Sequence, residues 1–370
     1  MSVAINGTNG ITYNDGSVQA SAIGKNLIIN GNMQIAQRAT STASIIATGY
    51  YTVDRWRTLI TSGGTWTQSR SADVPTGQGF ERSLKMDVTS ANTLAAADRV
   101  AVQQRIEGFN LASVKKGTVN AESLSLSFWV KCTSTGTFIA ELGDLDNARN
   151  ISATYTVDVI NTWEKKTITF AADTTGEFDN NNAASLDVSF WLAAGSNYTS
   201  GTLQTPWAAN TNANRAVGQT NLSSDTANEW YITGVQLEAN TTATPFEHLH
   251  YGQQLALCQR YLQSSWSQGS AIGSAVSITT NSTQQSWGSN NAGIAGQAFL
   301  LPVTMRTSPT LVVYDMALNV GKVTTLGAGA GQVNNVSANN SSTTTNMFYV
   351  RMYANNRVGI TFAHTLTAEL

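Results

Sequence analysis

Charge is scarce in this sequence. Asp, Glu, Lys and Arg together make up 12% of its 370 residues and leave a formal net charge of −2; an ordinary soluble domain carries about twice that share. Without a Lys/Arg stripe there is little to displace counterions from a phosphate backbone, which argues against nucleic acid as a partner. The same lack argues against an electrostatic membrane contact. Cysteine is nearly absent: Cys132 and Cys258 are too few for a disulfide framework, and nothing indicates that they pair. No apolar run approaches the ~18–20 residues of a membrane span, so no membrane insertion is expected. MSVAINGTNG has neither the basic start nor the apolar segment of a signal peptide. The expectation is a chain made in a cytoplasm that leaves, if it works outside, by another route such as lysis.

What is present is Ser, Thr, Asn, Gly and a 41% share of hydrophobic residues, too many for disorder. A neutral surface of hydroxyls and amides fits two readings: the coat of a durable extracellular or particle protein, or a surface for neutral ligands such as sugars. Composition does not choose between them.

The texture is β. SLSLSFWVKCT (123–133) alternates strictly, with Leu124, Leu126, Phe128 and Val130 on one face. TWEKKTITFAA (162–172), SLDVSFWLAAG (185–195) and EWYITGVQLEA (229–239) repeat the pattern. Residues 25–250 are read as an all-β, two-sheet jelly-roll sandwich. Residues 1–24, with ITY and SVQA around Asn14-Asp15-Gly16, are too small to build a core; they read as an attachment or oligomerisation segment. Leu255, Cys258 and Leu262 recur at helical steps, so 251–265 is expected to be a short linking helix. Residues 266–370 form a smaller C-terminal β domain, with 327–345 as a polar loop and a hairpin turning at Asn355-Asn356.

Candidate chemistry is thin. His248 and His250 on a strand would share a face and begin a zinc site, with Glu247 and Cys258 as the neighbours, but ordinary packing is the simpler account. There is no GxSxG, HExxH, P-loop or Rossmann glycine set. Glu141, Asp144, Asp146, Glu177 and Asp179 are the carboxylates a glycosidase would draw on, although loops at strand ends favour such residues anyway. GDLDNARN and EFDNNN offer clustered oxygens, making Asp144, Asp146 and Asp179 weak candidates for structural calcium; no other cofactor is implied. Of nine tryptophans, Trp56, Trp129, Trp191 and Trp230 fall in or beside strand patterns and read as packing residues. Trp207, Trp266 and Trp287 sit among small polar residues, where an indole could stack on a pyranose ring. Each could equally anchor its own loop.

Several blocks together resemble the tail-fibre and related receptor-binding tail proteins of phages and prophages, which carry a jelly roll similar to carbohydrate-binding modules. They are ITYNDGSVQASA (11–22), KNLIINGNMQIAQR (25–38), VDRW (53–56), LSFWVK (126–131), WYITGVQLEANTTATPFEHLHYGQQLALCQRY (230–261) and MRTSPT (305–310). The resemblance implies a virion structural protein, a homotrimeric fibre assembled in the host cytoplasm. It implies contacts with other tail proteins through residues 1–24, and with a host-surface glycan or protein elsewhere. It supplies no catalytic residues, and the chain is expected not to be an enzyme. A tail adaptor or decoration protein is the alternative, and a depolymerase ranks last because there is no β-helix repeat. Where the family pattern has an Arg after PFE and acidic residues before the helix, this chain has His248, Leu249, His250, Gln253 and Gln254.

Overall fold

The computed structural model describes residues 24–274, 294–327, 331–353 and 359–370, together with the backbone of the strands Ala4–Asn6, Gly10–Thr12, Val18–Gln19 and Gln284–Trp287. Ile11 pairs with Gln19 and Thr12 with Val18 in an antiparallel hairpin; the Asn14-Asp15-Gly16 turn lies outside the described residues.

Two antiparallel sheets form the sandwich. The front sheet runs Glu164–Phe170, Leu124–Cys132, Glu229–Ala239, Ser83–Ser90, Thr65–Ser71 and Ser41–Ile45. The back sheet is centred on Gly136–Asp144, Ala184–Ala194 and Arg99–Glu107. Period-two alternation turns Leu124, Leu126, Phe128 and Val130 inward, each at most 3% exposed. Phe128 meets Phe190 of the opposite sheet edge-on at 4.9 Å and Tyr155 at 5.0 Å, so aromatic packing joins the two layers. Trp56, Trp66, Trp191 and Trp230 have no exposure. Both cysteines are free and buried; burial pushes the Cys132 thiol up to about 11.

The second core gathers Met305, Val313, Val323, Phe348, Ile360 and Phe362. Its central strand, Gly359–Thr367, pairs with Leu262–Ser264, Gln284–Trp287, Thr310–Tyr314 and Lys322–Gly327. Three expectations change here. The helix ends at Gln259, and Leu262 instead enters a strand; the helix buries Gln254 and Cys258, while Leu255 is half-covered. The polar 327–345 segment contains the strands Gly331–Ser337 and Asn339–Thr343, because pairing with neighbours satisfies its backbone whatever its side chains. Met347–Tyr353 and Gly359–Thr367 belong to different sheets in the described pairings, so alternation marked two strands without making them partners. The Asn355-Asn356 turn itself lies outside the described residues.

Four of the six blocks that carry the family resemblance, 25–38, 53–56, 230–261 and 305–310, make contacts where the two cores join. Lys25 lies 3.6 Å from Glu238, and Asn26 donates to the Val235 carbonyl and accepts from the Leu237 amide. The Glu247 carboxylate of PFE accepts the amides of Gly24, Lys25 and Asn26. Gln37 links Asp54 to the Leu262 carbonyl at 2.9 Å. Arg55 of VDRW, fully buried, pairs with Glu369 and lies 3.5 Å over the Tyr261 ring. Glu107, also fully buried, accepts two bonds from Arg260 at 2.7 and 2.8 Å and one from the Tyr261 hydroxyl. Arg306 of MRTSPT donates to the carbonyls of Ala368, Glu369 and Asn182. The stretch from Pro245 to Tyr261 is a structural joint.

Two outcomes follow. Glu369→Ala would leave the Arg55 guanidinium buried without its counter-charge, at a cost of about 3–5 kcal/mol in urea unfolding. His364 sits between Phe348 and Phe362 with its Nδ1 unpaired, and burial pushes its imidazole down to about 4. The unfolded chain then takes up the proton first, so stability falls between about pH 6.5 and pH 4 and levels off below, a loss of roughly 3 kcal/mol. Urea midpoints measured across that range should show the step in the native chain and lose it in His364→Leu.

Candidate functional site

The residues of Leu124–Cys132 that do not face the core lie on the opposite face of the sheet: Ser125, Ser127 and Lys131, all buried there, and Trp129, half-buried. Pairing sets Trp129 opposite Lys165 on one side and Thr233 on the other, and Lys131 opposite Tyr231. A one-residue bulge separates the Ser127–Gln236 and Trp129–Thr233 pairs, and Gly234 within it has φ +62°. A Cβ at Gly234 would lie 2.6 Å from the Phe80 ring, so the missing side chain is what lets Phe80 lie across the strand. Phe80 in turn packs against Phe246 at 5.1 Å and His248 at 5.3 Å.

Together these residues wall a hollow of about 240 Å³, lined by Phe80, Trp129, Lys165, Phe246, His248 and Gln78 among others. A second hollow of about 260 Å³ adjoins it, sharing Phe80 and His248 and reaching Asn32, Gln34, Glu81 and His250. Each is smaller than the ~300–1,000 Å³ of pockets that engulf small molecules, a shape suited to contact along a polymer. Burial holds the His248 imidazole below its ordinary value, so it is neutral near pH 7.

Trp129 combines partial exposure with an indole N–H left without a partner among the described residues; the indole N–H of Trp230 has none either, but that residue is fully buried. The indole N–H groups of Trp56, Trp66, Trp163, Trp191, Trp207 and Trp266 each donate to a group of the chain. That of Trp129 donates to none among the described residues, and the residue is half-buried. Beside it on the same face lie Tyr231 and Trp163, with ring centroids 6.2 Å apart. Lys131 lies 4.3 Å from the Tyr231 ring and pairs with Asp73. Lys85 reaches Glu229 at 2.7 Å, and the Tyr231 hydroxyl donates to the same carboxylate at 2.6 Å. Partial burial opposes charge on Asp73 and Glu229. Even so, the Lys131 and Trp163 donors hold Asp73 below its usual range, and Lys85 and Tyr231 do the same for Glu229. Both are therefore ionised at neutral pH. They suit hydrogen bonding, and neither suits a general acid.

The residues singled out from sequence fare differently. Trp266 is 4% exposed, donates to the Ser274 carbonyl and meets Tyr314 edge-on, so its ring is not available for stacking. Trp207 is partly covered; its ring lies 5.4 Å from the Lys116 ammonium, and its N–H donates to the Ala171 carbonyl. Trp287 lies in a strand opposite Gly359, and its side chain is outside the described residues. The three are not brought together. Trp129, read as a packing residue, is instead half-buried, like Trp163 and Trp207, and lines the hollow; its place on the polar face of an amphipathic strand was the signal available. Trp163 was passed over altogether.

The calcium reading also changes. Asp144 is fully enclosed, and its carboxylate takes the Lys116 ammonium at 2.6 Å. That ammonium also reaches Asp173 at 3.1 Å and the carbonyls of Thr175 and Gly176 at 2.8 and 2.7 Å. A lysine fills the oxygen cluster that a cation would need. Asp146 accepts the Asp179 amide at 2.9 Å. Glu141 is held by Arg215 at 2.7 Å and by the Trp191 N–H at 2.9 Å. His248 packs on aromatic rings and Glu247 on backbone amides; among the described residues no three His, Cys, Asp or Glu side chains are grouped to hold a metal.

No family model matches the chain, and no curated protein matches it by sequence. Among solved structures it is similar to the enzymatically active domain of tailspike protein 4 of bacteriophage CBA120. That match has 15% identity and a TM-score of 0.30, and it covers 58% of this chain and 21% of that one. It is also similar to TmCBM61 solved with β-1,4-galactotriose (10% identity, 58% and 99% covered, TM-score 0.31). A third is the family 11 carbohydrate-binding module of Clostridium thermocellum with a mixed-linked tetrasaccharide (8% identity, 56% and 100% covered, TM-score 0.28). At these TM-scores the functional argument rests on the chain's own residues.

Gly234→Ala tests how the hollow is built. The added methyl must displace Phe80 and adopt a strained backbone, so unfolding should be easier by about 1–3 kcal/mol. Trp129→Ala, by contrast, should change the urea midpoint little, since its ring is not part of the core.

Proposed function

We propose that this chain is a non-catalytic, glycan-binding fibre protein of a phage tail, presenting the Trp129 face of its front sheet to the host surface. One observation carries the glycan reading: a half-buried tryptophan whose indole N–H has no partner among the described residues stands on a sheet face beside Tyr231, Trp163 and ionised or amide side chains. A pyranose offers an apolar C–H face to such a ring and hydroxyls to such neighbours. The assignment to a tail fibre rests on the motif blocks, four of which supply residues to the joint between sandwich and C-terminal domain.

The non-catalytic reading is supported by the pairing of most of the carboxylates considered; Asp87, opposite Glu229, departs from them, its carboxyl pushed up by burial. Glycoside hydrolysis needs one carboxylic acid kept protonated near neutral pH beside a second, ionised one. Asp73 and Glu229 on the face are both held in the charged form by cationic neighbours, and Glu141 and Asp144 are bound to Arg215 and Lys116. Single shallow contacts are weak, and joining several copies in one fibre, and several fibres on one particle, raises avidity by roughly 10²–10⁴. A homotrimer in the virion, docked through residues 1–24, is the arrangement this favours.

The test is binding of the purified full chain to an array of bacterial surface polysaccharides, followed by calorimetry on the glycans retained. Trp129→Ala should weaken binding at least tenfold with folding intact, whereas Trp207→Ala should leave it unchanged. No reducing ends should be released on prolonged incubation. A chain that retains no glycan, or a Trp129→Ala variant that binds as well as the native one, overturns the reading.

A further inference from the structure

The hollow beside Trp129 has an unbalanced charge. Lys25, Lys85, Lys115, Lys116, Lys131 and Lys166 each lie within ion-pair distance of a carboxylate. Lys165 is the one lysine of the sandwich that does not; its ammonium makes no ion pair or hydrogen bond within the described residues. It is exposed, directly opposite Trp129, and lines the hollow. No Asp or Glu lines that hollow, and the imidazole that does, His248, is neutral near pH 7. The adjacent Glu164 faces the other way, with its carboxylate 2.6 Å from Lys166. Glu247, the nearest acid in sequence to His248, is occupied by the amides of Lys25 and Asn26.

We propose that this site takes an acidic sugar: a uronate-type residue whose ring stacks on Trp129 and whose carboxylate meets the Lys165 ammonium. The proposal rests on the glycan reading above and narrows it to a ligand class. In a chain with so few charges, an aromatic platform flanked by a single unpaired cation matches a ring that carries one carboxylate. A neutral sugar would leave that cation without a counter-charge. The gain is modest, because an ammonium at the surface keeps most of its hydration; one exposed ion pair changes an equilibrium by about fivefold. Added salt weakens that part of the binding and leaves the stacking in place.

The experiment uses hexuronate-containing bacterial polysaccharides and the same polymers after carboxyl reduction to the neutral sugar, titrated calorimetrically into the full chain. The native protein should bind the acidic form about fivefold more tightly than the reduced form. Lys165→Gln, at an exposed edge position where folding is unaffected, should bind both forms alike, and Trp129→Ala should bind neither. Equal binding of the two forms by the native chain, or a preference that survives in Lys165→Gln, overturns the acidic-sugar assignment and leaves the glycan site standing. Failure to bind either form, with no other glycan retained on the array, removes the site and this inference with it.

Discussion

The described structure turns on a buried guanidinium. Arg55 has no exposure, and it is held by Glu369 from the far end of the sequence, by the Arg105 carbonyl and by the Tyr261 ring. A charge withdrawn from water is tolerable only when its partners are fixed in place. Arg55 therefore requires that the end of the chain, the segment after the helix and the sandwich edge all arrive together. Glu107 imposes the same demand from the other side through Arg260 and Tyr261. The junction is thus crossed by polar pairs that tie the two cores together.

Charge is paired in the interior elsewhere too. Asp144, Asp173 and Lys116 form a closed cluster under Trp207, and Glu141 and Arg215 another against Trp191. Of the carboxylates that look, in sequence, like catalytic groups or metal ligands, Glu141 and Asp144 are paired inside the molecule, while Glu177 and Asp179 stay exposed. Several charges remain at the surface, Lys115 with Glu122 and Lys166 with Asp158 among them, and of the lysines of the sandwich Lys165, beside Trp129, is the one without an ion pair among the described residues.

Much of the fold was readable from alternation alone. Leu124, Leu126, Phe128 and Val130 lie on the core face as expected, and Glu229–Ala239 has the bounds read for it. The candidate site was much less legible. Trp266 was chosen for its polar neighbours in sequence, yet Tyr314 and the Ser274 carbonyl, distant or unremarked in the chain, enclose it. Trp129 was placed on the correct side of its strand, opposite Phe128, but whether that side was covered depended on Phe80, Phe246 and the bulge at Gly234.

The sequence by itself determined which residues point into each sheet and which point out, because side-chain direction in a strand follows from a local period of two. It determined that charge would be too sparse for a phosphate-binding surface. Only the tertiary structure decided which outward faces stay open, which carboxylates acquire cations, and which strands become neighbours. Those outcomes depend on contacts between segments as far apart as Arg55 and Glu369, and no local pattern in a chain encodes what will come to rest against it.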